Sequence, residues 1–158
     1  MRAAAGAAIL AWALGASGPA AAAPPLAPAR DLAAEAREAA ASGRVLVVLF
    51  ATADCPWCAR VRAEFLGPMQ ANPRDARRIL VREVDIDADR PLTGFDGERT
   101  THAGFAAKAG IRFVPVVAFY GTGGTELAER LVGFRVADWY GAYLDRRIDE
   151  ALARRVPR

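Results

Sequence analysis

Cysteine is nearly absent from this chain: Cys55 and Cys58 are the only two among 158 residues, and His102 is the only histidine. A zinc centre wants four such ligands, so no metal site is expected. Basic residues are not concentrated either. Lys and Arg number 21 against 18 Asp and Glu, a net charge of +3, and the arginines are scattered. Without a basic stripe, nucleic-acid binding is not expected. The one apolar stretch near the start, Ala3 to about Ala16, is shorter than the ~20 residues of a membrane-crossing helix, so the mature chain should carry no span. Internal repeats are missing. The glycines from Gly121 to Gly124 precede no nucleotide-binding pattern, which leaves them a turn.

What is present begins with an address. Arg2, the alanine-rich apolar stretch and the small residues Ala21-Ala22-Ala23 before Pro24-Pro25 have the three-part layout of a secretory signal. Residues 1–23 are therefore expected to be a signal peptide, 24–30 a flexible leader and 31–158 one domain. The destination expected is the periplasm. In an oxidising compartment the two cysteines should pair. A domain of this length can build its core without help from a disulfide.

Along the chain, "RDLAAEAREAAASG" predicts a helix begun by Asp31 and stopped by Gly43. "RVLVVLF", Arg44 to Phe50, is a continuous apolar run, as in a strand buried on both faces. The next helix should start at Pro56, in a first turn that tolerates proline, and should end or bend at Gly67-Pro68. A second strand is expected within Arg77 to Asp87, then a polar segment from Ala88 to Thr101. A short helix capped by Thr100 or Thr101 should stop at Gly110. Two strands joined by the glycine turn follow, with Pro115 at the start of the first. Trp139, Tyr143, Ile148 and Leu152 place a stripe on a closing helix, where Trp139 and Tyr140 are expected to pack on the sheet. This order implies an α/β fold: a mixed central sheet flanked by helices on both faces. It sets Cys55 at the C-terminal end of a central strand, where such sheets carry their sites.

The stretch "CPWC" allows several readings. Half a metal site lacks the other ligands. A structural staple would close only a few residues, and the entropic benefit of a disulfide grows with loop length. A vestigial pair is the inert alternative, since a motif alone is a hypothesis. A working dithiol fits best. Cys55 at a helix N-terminus faces free N–H groups and the positive end of the macrodipole, which favour thiolate. Cys58, one turn further in, can resolve a mixed disulfide formed at Cys55. Pro56 and Trp57 would tune the pair, and Asp54 would work against the thiolate. His102 is expected to be a surface or capping group, with a base near the thiols as the functional alternative.

"VLVVLFATADCPWC" followed by "AGIRFVPVVAFY" resembles the thioredoxin-fold family over about Val45 to Leu152. More narrowly, the chain is similar to exported bacterial thioredoxin-like proteins, including those attached to sulfur-oxidation (SoxW/SoxS-type) systems. The resemblance implies a thioredoxin-like fold with Cys55 and Cys58 as redox pair. It also implies a cis bond at Val114-Pro115, which exposes the Val114 backbone to a substrate segment. Pro56, Trp57, Val114 and Pro115 would then line the substrate groove. No cofactor is implied, because the disulfide itself carries the two electrons. Disulfide-bearing proteins would be the substrates, and a membrane thiol–disulfide donor the source of electrons if the protein is a reductase. The chain lacks the large helical insertion of dedicated oxidases, which favours reduction. The alternative is a non-enzymatic binding module or adaptor whose dithiol stays oxidised. One departure stands out: Leu49 occupies the place of the family's buried aspartate, leaving Glu83, Asp85 or solvent to take a proton from Cys58. The Ala88–Thr101 segment is the other departure, either a partner-recognition loop or a solvated excursion.

Overall fold

The computed structural model describes residues 25–135 and 137–155. The expected signal peptide, 1–23, lies outside the described residues. Helix α1 (Leu32–Ala41) leads into strand β1 (Val45–Ala51), then α2 (Pro56–Arg60) and, across a π-helical stretch at Val61–Leu66, α3 (Gly67–Ala71). Strand β2 (Ile79–Asp85) precedes a small hairpin of β3 (Pro91–Thr93) and β4 (Arg99–Thr101). Helix α4 (His102–Lys108), strands β5 (Val116–Tyr120) and β6 (Glu126–Val132), and helix α5 (Ala137–Arg154) complete the chain. The main sheet has the order β2-β1-β5-β6. β1 runs parallel to β2 and antiparallel to β5, so the sheet is mixed, as expected.

The unbroken apolar run of β1 follows from its central position, because both its faces are covered. Val45, Val47, Leu49 and Ala51 pack with Cys58, Val61 and Leu66 against Tyr140, Leu144, Ile148 and Ala151 of α5. Leu46, Val48 and Phe50 point the other way, onto Leu32, Ala36 and Ala39 of α1 and Phe105 and Ala106 of α4. Alternation along one strand therefore assigns one helical layer to each face.

Several expectations need correcting. Gly67-Pro68 does not end the helix. The Gly67 N–H reaches back to Arg62 O, a five-residue stride, and α3 starts afresh with Pro68 in its first turn, where a missing N–H costs nothing. The stretch from Ala27 to Arg30 is not loose. Its Ala29 N–H donates to Glu83 O at 2.8 Å and the Glu83 N–H to Ala27 O at 2.9 Å, while Leu26 and Ala29 are buried. The segment thus covers the outer edge of β2, an exposed row of donors and acceptors otherwise. The Ala88–Thr101 segment forms the β3–β4 hairpin, tied to the same N-terminal stretch through Thr93 N–H to Arg30 O at 2.9 Å. On α5 the buried stripe is Tyr140, Leu144, Ile148 and Ala151, and both Trp139 and Tyr143 face solvent.

His102 is neither a surface group nor a free base. It is fully buried, its Nδ1 accepts the Asp85 N–H at 3.0 Å and its Nε2 meets Ala29 O at 2.9 Å. The first bond makes Nδ1 an acceptor, so the proton resides on Nε2 and is donated to Ala29 O. Both nitrogens are thereby committed to clamping the N-terminal stretch onto β2.

Candidate active site at the Cys55–Cys58 pair

β1 delivers the chain to the sheet's C-terminal rim at Ala51, and a turn through Asp54 brings it to Cys55 at the N-cap of α2. The two cysteines form a disulfide, with Cα atoms 5.2 Å apart. The Cys58 N–H donates to Cys55 Sγ at 3.0 Å, so the cap of this helix is the sulfur itself. Their environments differ. Cys58 is wholly buried in the core beneath the sheet, whereas Cys55 is half-buried at its margin. Pro56 occupies the first turn, as its fixed φ favours. Asp54 is exposed.

Trp57 is 52% exposed but not free. Its ring stacks on Phe134 at 5.7 Å, and Phe134 rests in turn on Tyr140 at 4.9 Å and Phe65 at 5.9 Å. The Arg60 guanidinium lies 4.7 Å from the Phe134 centroid and 5.9 Å from that of Trp57. Arg60 also pairs with Glu64 at 2.6 Å, and that hydrogen bond holds the Glu64 carboxyl below its usual range. Burial pushes the Tyr140 phenol well above its ordinary value, and no partner for its hydroxyl is found among the described residues. An aromatic platform therefore fixes one wall beside the disulfide.

The loop before β5 reaches the same rim, since β5 runs antiparallel to β1 with Val116 paired to Phe50. Val114-Pro115 is cis, Val114 is half-buried against the cluster that holds Cys58, and Pro115 is buried. Pro115 O accepts the Gly133 N–H at 2.8 Å, which ties this loop to the end of β6. Phe113 projects outward, 75% exposed. The structure thus gathers Cys55, Cys58, Pro56, Trp57, Val114 and Pro115 at one rim. Sequence reasoning missed Phe134, Phe65 and Arg60. The usable signal was the antiparallel pairing of β5 with β6: if β5 starts at the dithiol rim, β6 must end there and deliver Gly133-Phe134 to it.

Leu49 is buried on the face that holds Cys58, and its register partner on β2 is Glu83. Arg62 donates to both Glu83 oxygens, at 2.7 and 2.9 Å, and to Thr52 O at 3.2 Å. Glu83 is therefore committed to an ion pair that also steadies the turn before Cys55. Among the described residues, no group of three or more His, Cys, Asp or Glu side chains is placed to hold a metal. No described helix is long and apolar enough to cross a membrane.

The profile of the thioredoxin-like domain matches residues 32–148, and the chain belongs to that family. No curated protein matches it. Among solved structures, oxidised mitochondrial thioredoxin 3 from Saccharomyces cerevisiae is 15% identical, with a TM-score of 0.51 over 79% of this chain and 94% of its own. Fasciola hepatica thioredoxin is 21% identical, covering 77% of this chain and 98% of its own at a TM-score of 0.48. Oxidised thioredoxin O2 from Arabidopsis thaliana is 18% identical, with 75% and 93% covered and a TM-score of 0.46. The yeast protein shares the fold. Family, fold and a C-x-x-C-spaced disulfide together make this chain a thiol–disulfide oxidoreductase.

Proposed function

We propose that the protein is an exported reductase of protein disulfides, working through Cys55 as nucleophile and Cys58 as resolving thiol. The observation that carries this reading is the asymmetry of the pair: Cys55 is partly open and its sulfur accepts a backbone N–H, while Cys58 is sealed behind it. Hydrogen bonding to a sulfur at a helix start favours its anionic form. The Cys55 thiolate attacks one sulfur of a substrate disulfide; that S–S bond breaks and the departing sulfur takes a proton. Cys58, deprotonated, then attacks Cys55 Sγ, releasing the second substrate thiol. Two electrons pass from the dithiol to the substrate, leaving the Cys55–Cys58 disulfide. Pro56, Trp57, Val114 and Pro115 contact the incoming segment, and the Val114 backbone pairs with it in extended form.

The secretory layout of residues 1–23 supports a periplasmic location. In that compartment a reductase must be recharged by a thiol–disulfide donor, for which a membrane protein is the natural source. The sequence likeness to thioredoxin-like proteins of sulfur-oxidation systems supports a role in such a pathway. The test is a Cys58→Ser trap in the native cell. It should accumulate partners as mixed disulfides through Cys55, and a Cys55→Ser, Cys58→Ser control should accumulate none. An empty trap beside a normal Cys55→Ser strain would overturn the reading. The reduction potential decides direction: a value near about −270 mV fits a reductase, and one near about −120 mV an oxidant.

A further inference from the structure

Beyond the dithiol rim, the surface at the end of β6 has a composition of its own. β6 is an edge strand, and its last residue, Val132, is 59% exposed. Val132 lines two shallow hollows. One, of about 150 Å³, is bounded by Ile111, Arg112, Phe113, Val116 and Arg130. The other, of about 100 Å³, is bounded by Leu131, Gly133, Arg135, Tyr140 and Tyr143. Trp139, 64% exposed, stands on the adjoining start of α5. Apolar side chains that large do not face water without cost, and a patch of them beside a site marks a contact surface.

Charge says what kind of contact. Three arginines line these hollows and no carboxylate does. Arg130 is neutralised by Glu126, but Arg112 and Arg135 are exposed and have no ion-pair partner among the described residues. The surface is continuous with the dithiol rim, since Val132 pairs with Val116 and the Gly133 N–H is bonded to Pro115 O. Resting on the reductase reading above, we infer that this edge takes an acidic, apolar-bearing segment of the substrate protein. Carboxylates flanking the substrate's disulfide would meet Arg112 and Arg135, and apolar side chains between them would settle on either side of Val132. The interaction selects substrates before any bond is exchanged.

The test uses two synthetic cystine-loop peptides, one flanked by alternating Glu and Leu, the other by alternating Lys and Leu. Rates of reduction by the full-length dithiol protein are measured at low ionic strength and divided by the rate for bis(2-hydroxyethyl) disulfide, a neutral molecule too small to reach the edge. The acidic peptide should be favoured by about tenfold or more, the low end of electrostatic steering, and the preference should fade with salt. The Arg112→Glu, Arg135→Glu double variant should abolish or invert it. Reversal of two exposed arginines elsewhere, Arg37→Glu and Arg99→Glu, changes net charge equally and should preserve it. Equal rates for the two peptides, or a preference that survives the first reversal, would overturn the inference while leaving the reductase intact. Failure to reduce even the small neutral disulfide would instead bring down the reductase reading. Sedimentation showing a dimer that Val132→Asp disperses would assign the edge to a second copy of the chain, and would also overturn it.

Discussion

Leu49 and Glu83 stand side by side in parallel register, and Arg62 grips the Glu83 carboxylate from above with two hydrogen bonds, at 2.7 and 2.9 Å. The acid beside Leu49 in register thus lies on the neighbouring strand and is held by a cation. Removing its charge should leave the Arg62 guanidinium, itself mostly covered, without its counterion. Glu83→Gln is therefore expected to destabilise the fold by about 2 kcal/mol, the scale of a charge-assisted hydrogen bond lost in a partly buried place. Urea denaturation measures it. A change under about 0.5 kcal/mol would mean that the pair behaves as a solvated surface contact.

Unequal burial of the two sulfurs predicts unequal chemistry. In the reduced protein, iodoacetamide should label Cys55 first, and Cys58 should stay unlabelled while the fold is intact. The pH midpoint for Cys55 should fall below the ordinary thiol value of about 8.5, because its sulfur accepts the Cys58 N–H at the start of a helix. Mass spectrometry of partly labelled protein reads the site, and a pH series reads the midpoint. Equal labelling, or an alkaline midpoint, would count against the nucleophile assignment.

The Tyr140 hydroxyl is buried among the aromatics under Phe134 with no partner among the described residues. Replacing it with Phe removes an unsatisfied group at nearly constant shape. Tyr140→Phe should therefore raise stability at neutral pH by about 1 kcal/mol. It should also soften alkaline unfolding. Burial raises the phenols of Tyr140 and Tyr120, the latter from 10.0 to about 12, so the folded state holds these protons more tightly than the unfolded chain. That contribution is fully present below pH 10 and is lost as pH rises beyond it. The variant should keep only the Tyr120 share of the loss, between about pH 10 and 12. An unchanged slope would refute the assignment.

His102 joins the N-terminal stretch to the sheet. His102→Leu would strand the Asp85 N–H and Ala29 O together, at a cost of about 3 kcal/mol. Hydrogen exchange should show where. The Ala29 and Glu83 amides, which bond across this junction, should exchange much faster in the variant, while the amides of β5 stay protected. Uniform acceleration through the sheet would mean that the clamp is not local.

The readable parts of the site share a feature. Cys55, Pro56 and Cys58 lie within one strand-to-helix turn, and the apolar run of Val45 to Phe50 marks the strand that positions it. Pro115 was legible because a residue without an N–H must stand at a strand's start. The continuation of the helix past Gly67-Pro68 is not legible, because the π-helical stretch that admits Pro68 is not written in propensities. Trp139 and Tyr143 fall on the stripe that periodicity predicts for α5 yet face solvent, because periodicity gives a face but not the neighbour it meets. Of the two aromatics expected on the sheet, Tyr140 alone is buried, packed against Phe65 and Phe134.

The sequence by itself determined that two sulfurs sit at the start of a helix at the rim of a mostly buried sheet, because those relations run between chain neighbours. Only the tertiary structure decided that Phe134 supports Trp57, that Arg62 occupies Glu83, and that His102 is sealed against the N-terminal stretch. These are meetings of segments far apart in the chain. Their geometry follows from strand order and register, which arise when both faces of β1 are covered at once.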